Sequence, residues 1–292
     1  MLLGRAGSVS DRSERRLTSG RLRSLLAKFC QYLLLSRRHA SSYNSYQWLV
    51  VEYRVFRTPR MPLPPLEILY EDNHCIAVAK ANGCLSTHYE GREETLDRAV
   101  KQYLRQRYNK PGNVFLGIVH RLDRPVSGVL LFARTSKGAS RLARQFREGT
   151  VEKIYWAVVD GEVGPTAGTL EDWLIKDKEA RRVDVVEPHE EGARQALLHY
   201  QRKAAHGGLS LLELRPQTGR SHQLRVQLAH HGQPIYGDAK YGSLHTFDRA
   251  IALHARSLTF LHPVRNDPVT LTAAIPRAWR GRFAYLLKEV LQ

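Results

Sequence analysis

His120-Arg121-Leu122-Asp123-Arg124-Pro125-Val126-Ser127-Gly128-Val129-Leu130-Leu131-Phe132-Ala133 runs a charged patch directly into an unbroken apolar segment. Residues 129–133 are strand-sized and carry no polar side chain, so they read as a buried strand. Upstream, Val114 to Val119 is strand-like as well. His120, Arg121, Asp123 and Arg124 therefore interrupt two strand-like runs, and Pro125, Ser127 and Gly128 turn the chain between them. Cations beside a carboxylate favour its charged form. A desolvated carboxylate is competent as a nucleophile at a sugar or base carbon. A surface turn with local ion pairs would use the same residues, so the stretch alone leaves both readings open.

Outward from this stretch, strand and helix signals alternate. Glu67 to Glu71 and Cys75 to Ala79 read as short strands. The spacing of Leu96, Ala99, Val100, Tyr103 and Leu104 predicts a helix over Thr95 to Tyr108. Ser136 is placed to cap a helix carrying Ala139, Leu142, Ala143 and Phe146. Lys153 to Val159 is rich in aromatic and β-branched residues, as strands are. Ala196 to Lys203 and Leu209 to Leu214 read as a hairpin turning through Gly207-Gly208. His222 to His230 fits a helix closed by Gly232, with Pro234 beyond. Strands over Ala252 to Leu261 and Val269 to Ala273 follow, and a helix over Trp279 to Leu291 closes the chain. Hairpins broken by helices predict an α+β fold on a mixed, largely antiparallel β-sheet core with flanking helices.

Two further clusters carry chemistry. Gln217-Thr218-Gly219-Arg220-Ser221-His222-Gln223-Leu224-Arg225 lies between a strand end and a helix start, where free backbone N–H groups attract anions. Arg220 on the turn is placed to reach a phosphate or the Asp123 carboxylate; a plain N-cap by Thr218 or Ser221 with solvated arginines is the competing reading. In Lys153-Ile154-Tyr155-Trp156, Lys153 and Tyr155 share one strand face. That pairing suits a base stacked on the tyrosine with its phosphate on the lysine, although a strand tyrosine is more commonly core. His222, His230, His231, His254 and His262 show no metal-ligand spacing, so no metal is expected. No nucleotide-binding glycine loop is found and no GxSxG elbow.

The chain has 292 residues and a net charge of +17. Such a balance favours a polyanionic partner, with nucleic acid ahead of a membrane surface. No apolar run is long enough for a transmembrane helix. Cys30, Cys75 and Cys84 are few and unpaired in spacing, which suits a reducing compartment and a cytoplasmic location. Residues 1–60 hold twelve Lys or Arg against three acids, Asp11, Glu14 and Glu52. This segment reads as a basic extension preceding a domain over 61–292. The only methionines are Met1 and Met61, and Met61 opens a Pro-rich stretch that reads as a linker or an alternative start. An RNA-binding arm and a targeting peptide are the other readings of the extension.

Taken in order, the motifs resemble the RluA-type family of pseudouridine synthases. His120 to Ala133 resembles the family's HRLDRxTSGLLLFA signature, Lys153-Ile154-Tyr155 its KxY element, and Thr218 to Val226 its TGRxHQLRVH element. Ile235 to Gly242 and Leu253-His254-Ala255 match later landmarks. Val126 stands where Thr is usual, Ala81 where Pro follows the lysine, and Gln227 where His is frequent; the S4-type domain of longer members has no counterpart. The resemblance covers about Leu66 to the end. It implies a sheet divided into two halves with the active cleft between them, no cofactor, and an RNA substrate, ribosomal or transfer RNA, handled by a monomer. It implies Asp123 as nucleophile, Tyr155 stacked on the uracil, and Arg220 paired with Asp123. Arg121 would fill the place of the flipped nucleotide. His120, Arg124, Lys153, His222 and Leu224 complete the expected substrate-binding set, and Arg141, Arg144 and Arg147 are expected on the cleft rim. A non-catalytic RNA-binding protein on the same fold is the alternative.

Overall fold

The computed structural model describes residues 65–88, 94–177, 179–247 and 250–291. The basic extension and the Met61 junction lie outside the described residues. The strands are β1 (Glu67–Glu71), β2 (Cys75–Lys80), β3 (Gly117–Ile118), β4 (Ser127–Ala133), β5 (Glu152–Asp160), β6 (Ala167–Asp177), β7 (Arg182–Val186), β8 (Arg194–His206), β9 (Leu209–Pro216), β10 (Leu253–Leu261) and β11 (Pro268–Thr272). They form one sheet in the order β1-β2-β4-β10-β5-β9-β8-β6-β7, with β3 on β4 and β11 on β10. All ladders between these strands are antiparallel except β4–β10. The predicted α+β class with a mixed, largely antiparallel sheet is what the chain adopts.

β2 and β4 read as continuous apolar runs because both of their faces are covered. Cys75, Ala77, Val129 and Leu131 pack on one side with Leu142 of helix α2 (Ser136–Glu148). Ile76, Val78, Leu130 and Phe132 pack on the other with Leu96, Val100 and Leu104 of helix α1 (Leu96–Arg107). Thr135, not Ser136, caps α2: its side-chain oxygen accepts the Gly138 N–H at 3.0 Å. Gly149 ends that helix at φ 74°, the left-handed conformation that glycine adopts without steric cost.

The parallel seam sits at the middle of the sheet. Ser127 and Gly128 of β4 face His254 and Ala255 of β10, and Ala255 in turn faces Tyr155 of β5. A Cβ on Gly128 would lie 2.2 Å from the Ala255 carbonyl oxygen, so only glycine lets the two backbones meet. Ser127 Oγ and His254 Nδ1, both buried, lie 2.9 Å apart across the seam.

Three elements depart from the sequence expectation. Between Val114 and Val119 only Gly117–Ile118 is strand. The closing helix splits into α4 (Arg277–Arg282) and α5 (Ala284–Lys288). Phe283, between them, leaves helical geometry at φ −118° while its ring is buried. The hairpin β6–β7 was not anticipated. Its inward face carries Asp172, buried and bonded to Gln227 and His231, and an inward acid breaks the apolar alternation that marks a strand. The third helix, α3 (Gln223–His230), packs against this hairpin, with Val226 meeting Leu174 and Val183.

Candidate active site

Asp123 sits on the loop that leads into β4, and that loop is fixed from beneath. Leu122 is buried, and its N–H and carbonyl both engage Ser86 Oγ, at 3.1 and 2.6 Å. The Lys80 ammonium, at the end of β2, donates to the carbonyls of Ala81, Arg124 and Val126 at 3.1, 3.1 and 2.6 Å. Burial pushes the Lys80 pKa down to about 8, leaving it mainly charged at neutral pH. Two of these carbonyls, Arg124 and Val126, follow Asp123 directly, so the ammonium anchors the turn on its C-terminal side. Lys80→Met keeps the stem and strands the carbonyls. It is expected to cost about 2–4 kcal/mol of stability in urea titration, with a parallel loss of activity from a loosened loop.

Helix α3 supplies the partner of Asp123, and it is Arg225. Its Nη1 donates to Asp123 Oδ2 at 3.1 Å. Its Nε and Nη2 grip both oxygens of Asp238, at 2.7 and 2.9 Å. Asp238 is 1% exposed, so the fork is rigidly held away from solvent. Burial works against the Arg225 charge, but Asp238 and Asp123 outweigh it and raise the pKa above the ordinary arginine value. The expected pairing of Arg220 with Asp123 is not made. Arg220 lies on the turn before the helix, and its Nε donates to the Gln195 carbonyl of β8 at 3.0 Å. Residue 225 lies within the helix, on the side facing the Asp123 loop.

Tyr155 comes from β5, one strand across β10 from the Asp123 loop. Burial, then the charge of Asp123, raises its pKa well above the ordinary phenol range, so it stays a neutral hydroxyl. Lys153, on the same strand face, has its pKa lowered by burial. A cleft of about 710 Å³ opens over these groups, lined among others by Arg121, Asp123, Lys153, Tyr155, Arg220 and His222. The β6–β7 hairpin adds Lys176, Arg181 and Arg182 to its wall. A smaller recess of about 110 Å³ beside Asp123 and Tyr155 is lined by Leu224, Arg225 and Leu253 as well.

Other expected residues are placed differently. Arg124 turns away from the cleft and donates from Nε to the Gly83 carbonyl at 3.1 Å. Arg141, Arg144 and Arg147 are not among the cleft-lining residues; Arg141 bonds the Pro263 carbonyl and Arg144 pairs with Glu148 along the helix. His120 borders the cleft, but as a scaffold: its Nε2 accepts the Leu131 N–H at 2.9 Å and its ring stacks on Phe146 at 4.6 Å. Neither Thr218 nor Ser221 caps α3. His222 occupies the cap position in left-handed backbone, and Thr218 instead accepts the Leu197 N–H and donates to Gln223 Oε1.

Burial, reinforced by Lys153, drives the His120 pKa down to about 3. Burial likewise takes His254 to about 4. In the unfolded chain both titrate near 6.5, so on acidification the unfolded state takes up protons that the folded state refuses. Stability is therefore expected to fall as pH drops from 6.5 towards 4, by up to about 1.4 kcal/mol per pH unit for each histidine. Urea midpoints at pH 7.0, 5.5 and 4.5 check this; a flat or rising series contradicts it.

Away from the cleft, Asp72, Cys75 and His262 bring potential ligand atoms within 4.8 Å of one another. His262 Nδ1, however, accepts the N–H groups of Val264 and Arg265. The Asp72 carboxylate accepts from Tyr70, His74, Cys75 and His262. These donor atoms are spent on the fold. Among the described residues, no helix is long and apolar enough to cross a membrane.

Arg225, Asp238 and Lys80 were not singled out from the sequence. An arginine between Leu224 and Val226 on a helix with no other lysine, arginine or acid was the available signal for Arg225. Asp238 had only its place in the Tyr236-Gly237-Asp238 landmark.

Residues 74–230 match the model of a family described as RNA pseudouridylate synthase. The tRNA pseudouridine synthase C of Haemophilus ducreyi is 36% identical over 239 residues, covering 75% of this chain and 94% of that protein. The protein of the same name from Pectobacterium carotovorum is 35% identical over 236 residues, 74% of this chain, which spans only 61% of that relative's length. Among solved structures, human RNA pseudouridylate synthase domain containing 4 superposes with a TM-score of 0.62 at 24% identity, over 77% of this chain and 93% of that one. At that identity the likeness concerns the fold.

Proposed function

This chain belongs to the RNA pseudouridylate synthase family, and from that premise we propose that it converts uridine to pseudouridine in transfer RNA with Asp123 as the nucleophile. The observation that carries the reading is the Asp123–Arg225–Asp238 chain at the floor of a cationic cleft. The reaction breaks the C1′–N1 glycosidic bond, turns the uracil and rejoins it through C5. The C5 proton leaves and N1 gains one, so no net atoms or electrons are exchanged.

The geometry supports a reading of the remaining roles. Arg225 holds Oδ2 of Asp123, and no protein hydrogen bond is recorded to Oδ1 among the described residues. A carboxylate so placed serves attack at C1′ or abstraction of a sugar proton equally well. The recess between Asp123, Tyr155 and Leu253 takes the extruded base, with Tyr155 as its stacking face. Extrusion costs a few kcal/mol and least in loops; Arg121, Lys153, Lys176, Arg181, Arg182 and Arg220 offset it through phosphate contacts. Transfer RNA is favoured over ribosomal RNA by the named activity of the relatives. Cys75 and Cys84, both buried free thiols, support a cytoplasmic setting.

Tritium release from C5-labelled uridine tests the reading. The full chain is expected to release tritium from unmodified transfer RNA and not from ribosomal transcripts. Release from ribosomal RNA alone would overturn the substrate, and release from neither would favour a non-catalytic RNA-binding role.

A further inference from the structure

Tyr241, in the short 3-10 turn Ala239–Tyr241, ties the surroundings of Asp123 to the β6–β7 hairpin. Its phenolic oxygen accepts the Val183 N–H of β7 at 3.1 Å and lies 2.7 Å from His222 Nδ1. A backbone amide only donates, so of these two partners His222 Nδ1 alone can take the phenolic hydrogen. When Nδ1 takes it, the proton of a neutral imidazole sits on Nε2.

The environment keeps that imidazole neutral. Burial lowers the His222 pKa; Asp123 raises it, Arg225 and Lys240 lower it again, and Asp238 raises it slightly, with the net result below the ordinary value. His222 Nε2 faces Asp123 Oδ2 at 3.7 Å, longer than a hydrogen bond, and contacts of this kind often tighten along a reaction. The residue reaches this position at φ 50°, in left-handed backbone that a non-glycine side chain rarely adopts.

We propose that Tyr241 locks His222 as the Nε2–H tautomer, so that a neutral imidazole N–H joins the Arg225 guanidinium on Asp123 Oδ2 and Oδ1 is the oxygen that reacts. Tyr241 and His222 are positioning residues acting through Asp123, and the assignment rests on Asp123 being the nucleophile.

Histidine-selective ¹⁵N labelling of the full chain reads the tautomer directly, with the His222→Gln spectrum identifying the resonance. A pyrrole-like Nε2 and a pyridine-like Nδ1 are expected; the reverse, or an even mixture, overturns the lock. Tyr241→Phe keeps the ring and removes the hydroxyl. It should slow single-turnover pseudouridine formation roughly tenfold, with RNA Kd unchanged. His222→Gln carries an amide donor that needs no tautomer setting, so adding Tyr241→Phe on that background should cost nothing more. A Tyr241→Phe loss that appears in Kd, or persists beside His222→Gln, would instead assign Tyr241 to holding the hairpin. The spectrum needs no substrate, so an inactive wild-type preparation would overturn the functional reading while the tautomer is still decided.

Discussion

Asp123→Asn is expected to abolish pseudouridine formation, by roughly four orders of magnitude or more in single turnover, and to leave RNA affinity essentially unchanged. The amide is the same size and shape as the carboxylate. With its oxygen turned to Arg225 Nη1, as Asp123 Oδ2 is now, it keeps the contact that orders the loop. The loop's other supports, Lys80 and Ser86, bond to backbone and do not sense the change. What remains at the reacting position is an NH2 group, with no lone pair able to attack C1′ or accept a sugar proton. The cleft-wall cations proposed to hold RNA are untouched. Filter binding and quantitative pseudouridine mapping on the same preparation separate the two properties. Retained turnover would sink the nucleophile assignment.

The second large effect is expected from Arg225→Met, and it should divide into two parts. The substitution leaves Asp238, a carboxylate 1% exposed, without the fork that balances it. Removing one partner of a buried ion pair costs about 3–5 kcal/mol, so the variant should unfold at clearly lower urea. It should also lose most activity, because Asp123 loses its Oδ2 donor. Adding Asp238→Leu removes the stranded charge and should recover much of the stability, but none of the rate. Arg225→Lys keeps a positive charge but cannot reach both carboxylates with one ammonium, and it should fall between wild type and Met in activity. Recovery of the rate by Asp238→Leu would show that Arg225 acts through the fold alone.

The contrast between Arg220 and Arg225 shows where the sequence was legible and where it stopped. The motif around residues 217–225 announced a turn and a helix, and both are present. Which of its arginines faces Asp123 depends on how α3 is rotated against the β6–β7 hairpin. That hairpin was not visible, because Asp172 sits on its inward face. The strands β2 and β4 were readable because burial of both faces leaves little besides apolar residues to write them with, and β5 by its aromatic and β-branched residues. Lys80 was not readable as a support, since a lysine at a strand end is ordinarily solvated; only the fold reveals three carbonyls converging on it. His120 and Arg124 flank Asp123 in sequence, yet one is packed into the sheet and the other turned to Gly83. Residues 120–123 all line the cleft, and Arg124 is the residue of the patch that does not.

The parallel seam has a consequence for synthesis. Asp123 precedes β4 and Tyr155 lies on β5, but these strands are not neighbours; Ala255 of β10 fills the place between Gly128 and Tyr155. β10 follows β5 by about ninety residues of chain, which at ribosomal rates of roughly 5–20 residues per second takes about 5–20 seconds to make. During that interval Asp123 and Tyr155 are both made, while the strand that lies between them in the sheet is not. Such a long-range closure is also slow in its own right, because the entropy of the intervening loop is lost before the contact rewards it. The ground beneath the candidate site is thus complete only once this late strand takes its place between β4 and β5.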